Sequence, residues 1–221
     1  MKTRGWLIAT FLVAAVLAGF GLAAVRHLPE GARLATHWDA TGRVNGTMDP
    51  TSAVLFGPGM LILLGLLFAA LPRIEPLQSR LEGSAAVLKV AWAGIIALFT
   101  LIQFLIVGPA VGWHLPSTLP LAGVGVLLVA LGNVMPKSRP GFFVGVRTPW
   151  ALLDTDNWIA TQRLAGKLFI VAGVVVVLAA LLPVPAGLRH GVFVGSVLIA
   201  AVVPVVWSWW LWRRAGAPRG R

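Results

Sequence analysis

Long uninterrupted runs of apolar residues, separated by polar segments, dominate the sequence. Six of these runs are close to the roughly 20 residues that a helix needs to cross a bilayer, and none contains Asp, Glu, Lys, Arg or His. A charged group near the bilayer centre costs about 2.5–3.5 kcal/mol on insertion scales, so this pattern favours membrane insertion. The predicted spans are Trp6–Val25, Val54–Leu71, Val90–Val111, Leu119–Met135, Leu168–Leu182 and Val192–Trp212.

The fifth run is shorter than the other five, but the pattern upstream extends it. Trp158, Gln162 and Ala165 recur at helical spacing and lead directly into the run. Asp154 or Thr155 is a suitable N-cap for such a helix, because its side-chain oxygen accepts a bond from a free backbone N–H group. We therefore predict a longer helix that begins near these two residues.

The composition agrees with a lipid environment. Of 221 residues, 58% are hydrophobic and 11% are charged, whereas a soluble domain has about 45–50% apolar and about 25% charged residues. These values exclude an ordinary soluble globule, a disordered chain and a nucleic-acid-binding domain with a basic polar surface. We predict an all-α membrane protein, a bundle of six transmembrane helices.

The positive charge predicts how the helices are oriented. Lys and Arg number 18 against 7 Asp and Glu, and cytoplasmic segments of membrane proteins are enriched in Lys and Arg. With the N-terminus inside, 14 of the 18 fall in inner segments and 4 in outer segments. We therefore predict a multi-pass protein with both termini in the cytoplasm. A cleavable signal peptide is the alternative for the first run, but its apolar core exceeds the usual ~7–15 residues.

The first long polar segment, residues 26–53, lies outside the cell in this topology. Turn-forming residues divide it, and the stretches Arg33–Trp38 and Arg43–Val44 between them have strand character. We predict a small extracytoplasmic cap with a short hairpin between the first two helices. The turn-forming residues are Gly42, Asn45, Gly46, Asp49 and Pro50.

His37 and Asp39 give this cap two interpretations. Imidazole and carboxylate groups bind metals, and a histidine also serves as a pH-sensitive contact. Two such residues without further spaced ligands are a weak metal pattern, so we predict no metal site. The favoured interpretation is packing, or recognition of a partner, by residues of the cap. These residues are His37, Trp38, Asp39, Asn45 and Gly46.

The second long polar segment, residues 132–167, lies inside and contains a stiff turn. Pro149 disfavours the α-region for Thr148, so the chain is extended or turning there. Arg147 and Trp150 flank this turn and are therefore held in place. Because a rigid element positions side chains better than a flexible loop, we treat the turn as a functional candidate.

Each residue of this segment also has a structural interpretation. Arg147 is suited to bind a lipid phosphate or a helix C-terminus. Trp150 and Trp158 are suited to anchor at the membrane interface. Arg163 and Lys167 most simply contact lipid headgroups.

Polar, small and aromatic residues of the spans predict further contacts. The amide of Asn133 is placed to hydrogen-bond a loop carbonyl or a neighbouring helix, and Thr10 and Gln103 are expected to satisfy neighbouring helices. Small residues four positions apart predict close helix contacts at Ala15, Gly19, Gly191 and Gly195. Tryptophans at span ends predict an interfacial belt of Trp6, Trp92, Trp113, Trp207, Trp209, Trp210 and Trp212.

Two stretches resemble a known family. The first resembles the "LP…HWN-x-x-G-x-x-D/N-G" stretch of a small bacterial membrane domain of unknown function that often precedes SdpI-type proteins. The second resembles the "GN…IGIRTPWTL…W…N/TQR" signature of the SdpI family. The first match rests on Leu28-Pro29, His37-Trp38-Asp39, Gly42, Val44-Asn45-Gly46 and Pro50. The second rests on Gly132-Asn133, Gly145–Trp150, Asp156, Trp158 and Thr161-Gln162-Arg163.

The resemblance implies a function at the bacterial plasma membrane. SdpI proteins are immunity factors against a secreted toxic peptide that attacks the membrane, and some are receptors that draw a transcriptional repressor to it. It implies a two-helix module at 1–75 and a four-helix SdpI-like module at 76–221. The partners implied are the bilayer, a toxic peptide outside and a repressor inside. The binding residues implied are Asn133, Arg147, Thr148, Pro149, Trp150, Trp158, Gln162 and Arg163.

Other function classes find less support in the sequence. No nucleophile, zinc or phosphate-binding motif is present, and the four histidines are scattered, so we predict no catalytic residue, no cofactor and no direct nucleic-acid binding. Transport of a small molecule or peptide is the alternative function. Ion-coupled carriers usually place ionisable groups inside the membrane, and the six runs contain none. The oligomeric state stays open.

Overall fold

The computed structural model of the protein describes residues 3–39, 42–75 and 82–215. Within these residues, six helices are long and apolar enough to cross a membrane, which confirms the predicted six-helix bundle. A two-stranded antiparallel sheet lies between the first two helices. The elements are α1 Arg4–Val25, β1 Leu34–Trp38, β2 Val44–Met48, α2 Pro50–Ile74, α3 Ala85–Val107, α4 Leu119–Val134, α5 Pro149–Leu153, α6 Thr155–Leu181 and α7 Ala186–Ala215.

The upstream extension of the fifth span is confirmed. Helix α6 begins at Thr155, and the Asp154 side chain accepts bonds from the backbone N–H groups of Asp156 at 2.9 Å and Asn157 at 3.3 Å. The last helix begins at Ala186, six residues earlier than predicted. Its first turns therefore carry polar residues that the hydrophobic pattern had left in a loop.

The six long helices form two groups of three. Helices α1, α2 and α3 pack together, α6 packs against both α4 and α7, and the contact between α3 and α4 joins the groups. The predicted module boundary between residues 75 and 76 falls at the edge of segment 76–81, which lies outside the described residues.

Helices α4 and α6 approach each other most closely, at glycines that were not among the contacts predicted from small residues four positions apart. A Cβ on Gly125 would lie 2.8 Å from the Gly173 carbonyl oxygen, and a Cβ on Gly166 would lie 2.7 Å from that of Gly132. The predicted contacts at Gly19, Gly191 and Gly195 are wrong, because a Cβ there would meet nothing within 4 Å. Ala15 is exposed as well.

Polar side chains in the α1–α3 group are paired with neighbouring helices, as predicted. The Trp92 Nε1–H donates to Thr10 Oγ1 at 2.9 Å, and Gln103 Nε2 donates to the Val54 carbonyl oxygen at 2.9 Å. Trp92 is 0% exposed and its ring stacks on Phe68, so its predicted place in an interfacial belt is wrong. Pairing the indole N–H with Thr10 lets this ring enter the core.

The predicted hairpin is present, and its second strand is longer than expected. Strand β2 runs to Met48, whereas the sequence indicated only Arg43–Val44. Leu34, Trp38 and Met48 pack against the ends of α1, α2 and α3, which fixes the hairpin on the bundle. The turn after β2 ends at Asp49, which caps α2. The backbone N–H of Ser52 donates to this carboxylate at 2.9 Å and lowers its pKa.

The glycine contact between α4 and α6 predicts a stability effect. Gly166→Ala places a methyl group against the backbone of α4, so we expect the protein to lose about 1–3 kcal/mol of stability from overpacking. Gly195→Ala is the matched control, because its methyl group meets nothing. Thermal unfolding of both variants in detergent micelles measures the difference. Equal unfolding temperatures for Gly166→Ala and Gly195→Ala would contradict the assigned interface.

Candidate functional site

The candidate site at one end of the bundle is built around an irregular loop, residues 138–148. It connects a 3₁₀ turn at Met135–Lys137 with the short helix α5. Gly145 has φ +98°, and a Cβ there would lie 2.9 Å from both Gln162 Oε1 and Trp158 Cζ2. A glycine is therefore required for the loop to lie directly on α6.

Two buried side chains of α6 hydrogen-bond the loop backbone. The Gln162 amide accepts from the Val146 N–H at 3.1 Å and donates to the Val146 carbonyl at 3.0 Å. The Trp158 Nε1–H donates to the Ser138 carbonyl at 3.1 Å. Both side chains are 0% exposed. Paired bonds to a single residue fix both the position and the orientation of the loop.

The other group of helices also contributes to holding this loop. The Phe142 N–H donates to both carboxylate oxygens of Glu75, each at 3.2 Å, and Glu75 is only 1% exposed. Ser84 Oγ accepts from the Arg139 N–H at 2.9 Å and donates to its carbonyl at 3.3 Å. The loop conformation therefore depends on both halves of the bundle.

A buried polar network links the end of the loop to α6 and α7. Thr148 caps α5 by accepting from the Ala151 N–H at 3.2 Å, and its hydroxyl lies 2.8 Å from Ser208 Oγ. Ser208 Oγ donates to Asn157 Oδ1 at 2.7 Å, and Asn157 Nδ2 donates back to the Ser208 carbonyl at 2.9 Å. Thr161 Oγ1 donates a second bond to Asn157 Oδ1 at 3.1 Å.

The loop presents a basic and aromatic surface to its surroundings. Phe142, Phe143 and Arg147 are exposed, and Arg147 Nη1 donates to the Phe142 carbonyl. Pro149 occupies the first position of α5, and the Trp150 ring stacks on Trp212 with centroids 5.7 Å apart. The loop backbone is thus bonded to buried side chains of the bundle, while the side chains of Phe142, Phe143 and Arg147 remain exposed.

The structure brings most of the predicted inner residues together. Arg147, Thr148 and Pro149 lie on or beside the loop with Trp150, Trp158 and Gln162. Asn133 and Arg163 are exposed and make no side-chain hydrogen bond within the described ranges, so the hydrogen bond expected from Asn133 is not formed. The interpretation of Trp158 as an interface anchor is wrong, because its ring is fully buried beneath the loop.

Sequence reasoning missed four residues of this site, which are Glu75, Ser84, Asn157 and Ser208. Two carried a usable signal. Glu75 is an acid that lies four residues after the predicted end of the second span, and Ser208 interrupts a run of tryptophans in the last span. Ser84 and Asn157 look like ordinary loop and helix-start residues.

At the opposite end, the hairpin orders the predicted cap residues. His37 Nδ1 lies 2.5 Å from Asn45 Oδ1 across the strands, and a Cβ on Gly46 would lie 2.9 Å from the Cβ of His37. Asp39 Oδ1 accepts from the Arg43 N–H at 3.0 Å and closes the turn. Trp38 packs into the bundle, while His37 and Asn45 stay exposed.

These features define a multi-pass membrane protein with a structured element at each end. Residues 137–208 match the SdpI/YfhL protein family, and residues 11–62 match a domain of unknown function, DUF1648. The second half of the chain therefore carries a segment similar to the SdpI family, and this segment contains the loop, Trp158 and Gln162. That segment ends at Ser208, so the buried polar network lies entirely within it.

The chain is also similar to a curated protein. The chain is 28% identical over 96 residues to the Immunity protein SdpI of Bacillus subtilis (strain 168), an alignment that covers 43% of this chain and 46% of the relative. The chain thus spans about half the length of the relative it matches. No solved structure matches the chain significantly.

Loss of the Gln162 amide should free the loop. Gln162→Leu removes both bonds to Val146, and two hydrogen bonds of about 1 kcal/mol each correspond to at least about tenfold faster local opening. Hydrogen exchange of the Val146 amide, followed by mass spectrometry, measures this. Lys167→Gln, an exposed change one turn further along α6, should leave the exchange rate unaltered. Unchanged exchange in Gln162→Leu would show that the amide does not hold the loop.

Proposed function

We propose that this chain is an immunity protein of the bacterial plasma membrane that protects its cell from a secreted, membrane-active toxic peptide. The observation that carries the proposal is the likeness to Immunity protein SdpI, together with the family match over residues 137–208. The matched segment contains the most heavily hydrogen-bonded loop of the described chain. A family signature that coincides with such a loop supports a role in which its shape matters.

The scarcity of ionisable side chains inside the bundle supports protection through contact with the toxic peptide. Among the buried polar residues of the described chain, Glu75 is the one ionisable side chain, and it lies at the end of α2. The deeper residues Thr10 and Gln103 are uncharged and bonded to neighbouring helices. Ion-coupled carriers usually place ionisable groups within the membrane. Transport is therefore the less favoured function.

The two ends have different roles in this proposal. Because 14 of the 18 Lys and Arg residues fall in the segments on one side, we place the termini and loop 138–148 in the cytoplasm and the hairpin outside. The hairpin end, with His37, Trp38 and Asp39, meets the toxic peptide. Loop 138–148 either shapes the bundle, on which protection then depends, or presents its exposed side chains as a docking surface for a cytoplasmic partner such as a transcriptional repressor.

Survival of toxin-sensitive cells tests the proposed function. Expression of the chain should raise survival in the presence of the toxic peptide. Arg147→Ala should lose most of this protection, because it removes the exposed charge and its bond to the Phe142 carbonyl. Lys137→Ala removes an exposed charge just before the loop and serves as the matched control.

Membrane levels of each variant are compared first, so that a loss of protection is not a loss of protein. Unchanged killing of cells that contain the wild-type chain would contradict immunity. Equal protection by Arg147→Ala and Lys137→Ala would show that immunity does not depend on this surface of the loop.

A further inference from the structure

A cleft of 590 Å³ lies beneath the hairpin, between the two groups of helices. Its walls come from β1, from α3, from the start of α4 and from the first turns of α7. Small-molecule and peptide sites in proteins commonly measure about 300–1,000 Å³. The volume is therefore sufficient for a few residues of an extended peptide.

The lining of the cleft separates into an apolar and a polar part. Helix bodies and the packed face of β1 supply the apolar part, which consists of Trp38, Ile102, Leu121 and Phe193. The hairpin, the loop before α4 and the start of α7 supply the polar part, which consists of His37, Asp39, Ser117, Thr118, Arg189 and His190. This arrangement suits a ligand that has both an apolar side chain and a polar group.

Arg189 gives the polar part a fixed positive charge. Its Nε donates to the Ala179 carbonyl and its Nη2 to the Val184 carbonyl, each at 3.0 Å. These bonds hold the guanidinium in place, and among the described residues Nη1 has no hydrogen-bond partner. A positioned guanidinium is a strong donor to a carboxylate.

The cleft already contains one carboxylate, that of Asp39, which is hydrogen-bonded within the hairpin. Asp39 Oδ1 accepts from the Arg43 N–H and closes the turn. His37 uses Nδ1 for Asn45, which leaves its Nε2, and His190 is exposed. The polar part therefore combines the Arg189 guanidinium and two imidazoles with a carboxylate that is already bonded to the hairpin backbone. The Arg189 Nη1 group is the donor that remains for an anionic group of a ligand.

We propose that this cleft binds an extended segment of the toxic peptide, with an apolar side chain against Trp38 and Phe193 and a carboxylate on Arg189 and His190. The inference rests on the proposed immunity function and names the site through which it acts. The carboxylate is either the C-terminus of the peptide or an acidic side chain, and both offer the same chemistry to Arg189.

Peptide binding to the purified full chain in lipid nanodiscs tests the assignment. The probes are an acetylated leucine–phenylalanine–leucine tripeptide with a free C-terminus, its C-terminal amide, and an amide with glutamate in place of phenylalanine. The free acid should bind at least about tenfold more tightly than its amide, as expected for a charged hydrogen bond. Restored binding by the glutamate peptide would identify an acidic side chain as an accepted source.

Variants test whether the peptides bind in this cleft. Arg189→Gln should abolish the preference for the acid, and Leu121→Trp should block binding by filling the apolar part without disturbing Arg189. His114→Ala, which removes an exposed imidazole at the same end but outside the cleft, is the control. Thermal unfolding of each variant excludes misfolding as the cause.

Equal binding of acid and amide, or wild-type binding by Arg189→Gln, would overturn the assignment. If none of the peptides shows saturable binding, as expected when lipid fills the cleft, the assignment is also overturned. Protection of cells without such binding would refute the cleft and leave immunity standing. Binding without protection would refute immunity and leave the cleft as a peptide site.

Discussion

The hydrogen bonds between buried side chains and the backbone of residues 138–148 are the constraint on which one whole end of the molecule depends. Irregular backbone packed against a membrane bundle is stable only when the protein supplies partners for its N–H and C=O groups. Here the partners come from Glu75, Ser84, Trp158 and Gln162, which belong to both groups of helices. The loop therefore reaches its conformation only when those groups are assembled.

Helix α2 connects this end with the other. It begins at Pro50, directly after the hairpin, and Glu75 at its C-terminal end receives the Phe142 N–H. At 1.5 Å per residue, its 25 residues cover about 37 Å, more than the hydrocarbon thickness of a bilayer. The two polar ends are thus joined by a single helix whose buried face is apolar. This organisation fits a protein that acts through contacts at its ends.

Local signals predicted the elements well, because the physics that forms them is local. Six apolar runs gave the six helices, and Asp154 gave the start of α6. Turn-forming residues gave the hairpin, and the Thr148-Pro149 pair gave the stiff turn beside α5.

Long-range partners were not predictable in this way. Glu75 meets Phe142 across 67 positions and Asn157 meets Ser208 across 51, and nothing in the spacing indicates either pair. The spacing of small residues also failed to predict the close helix contacts, because the same spacing occurs on helix faces that pack and on faces that stay exposed.

Ion and proton flux through the purified protein in proteoliposomes tests the central claim most directly. An uncharged interior that acts through its two ends predicts no flux above that of empty vesicles under an imposed potential or pH gradient. A saturable flux, abolished by substitution of a residue buried between the helices, would contradict the account and make the bundle a transport pathway.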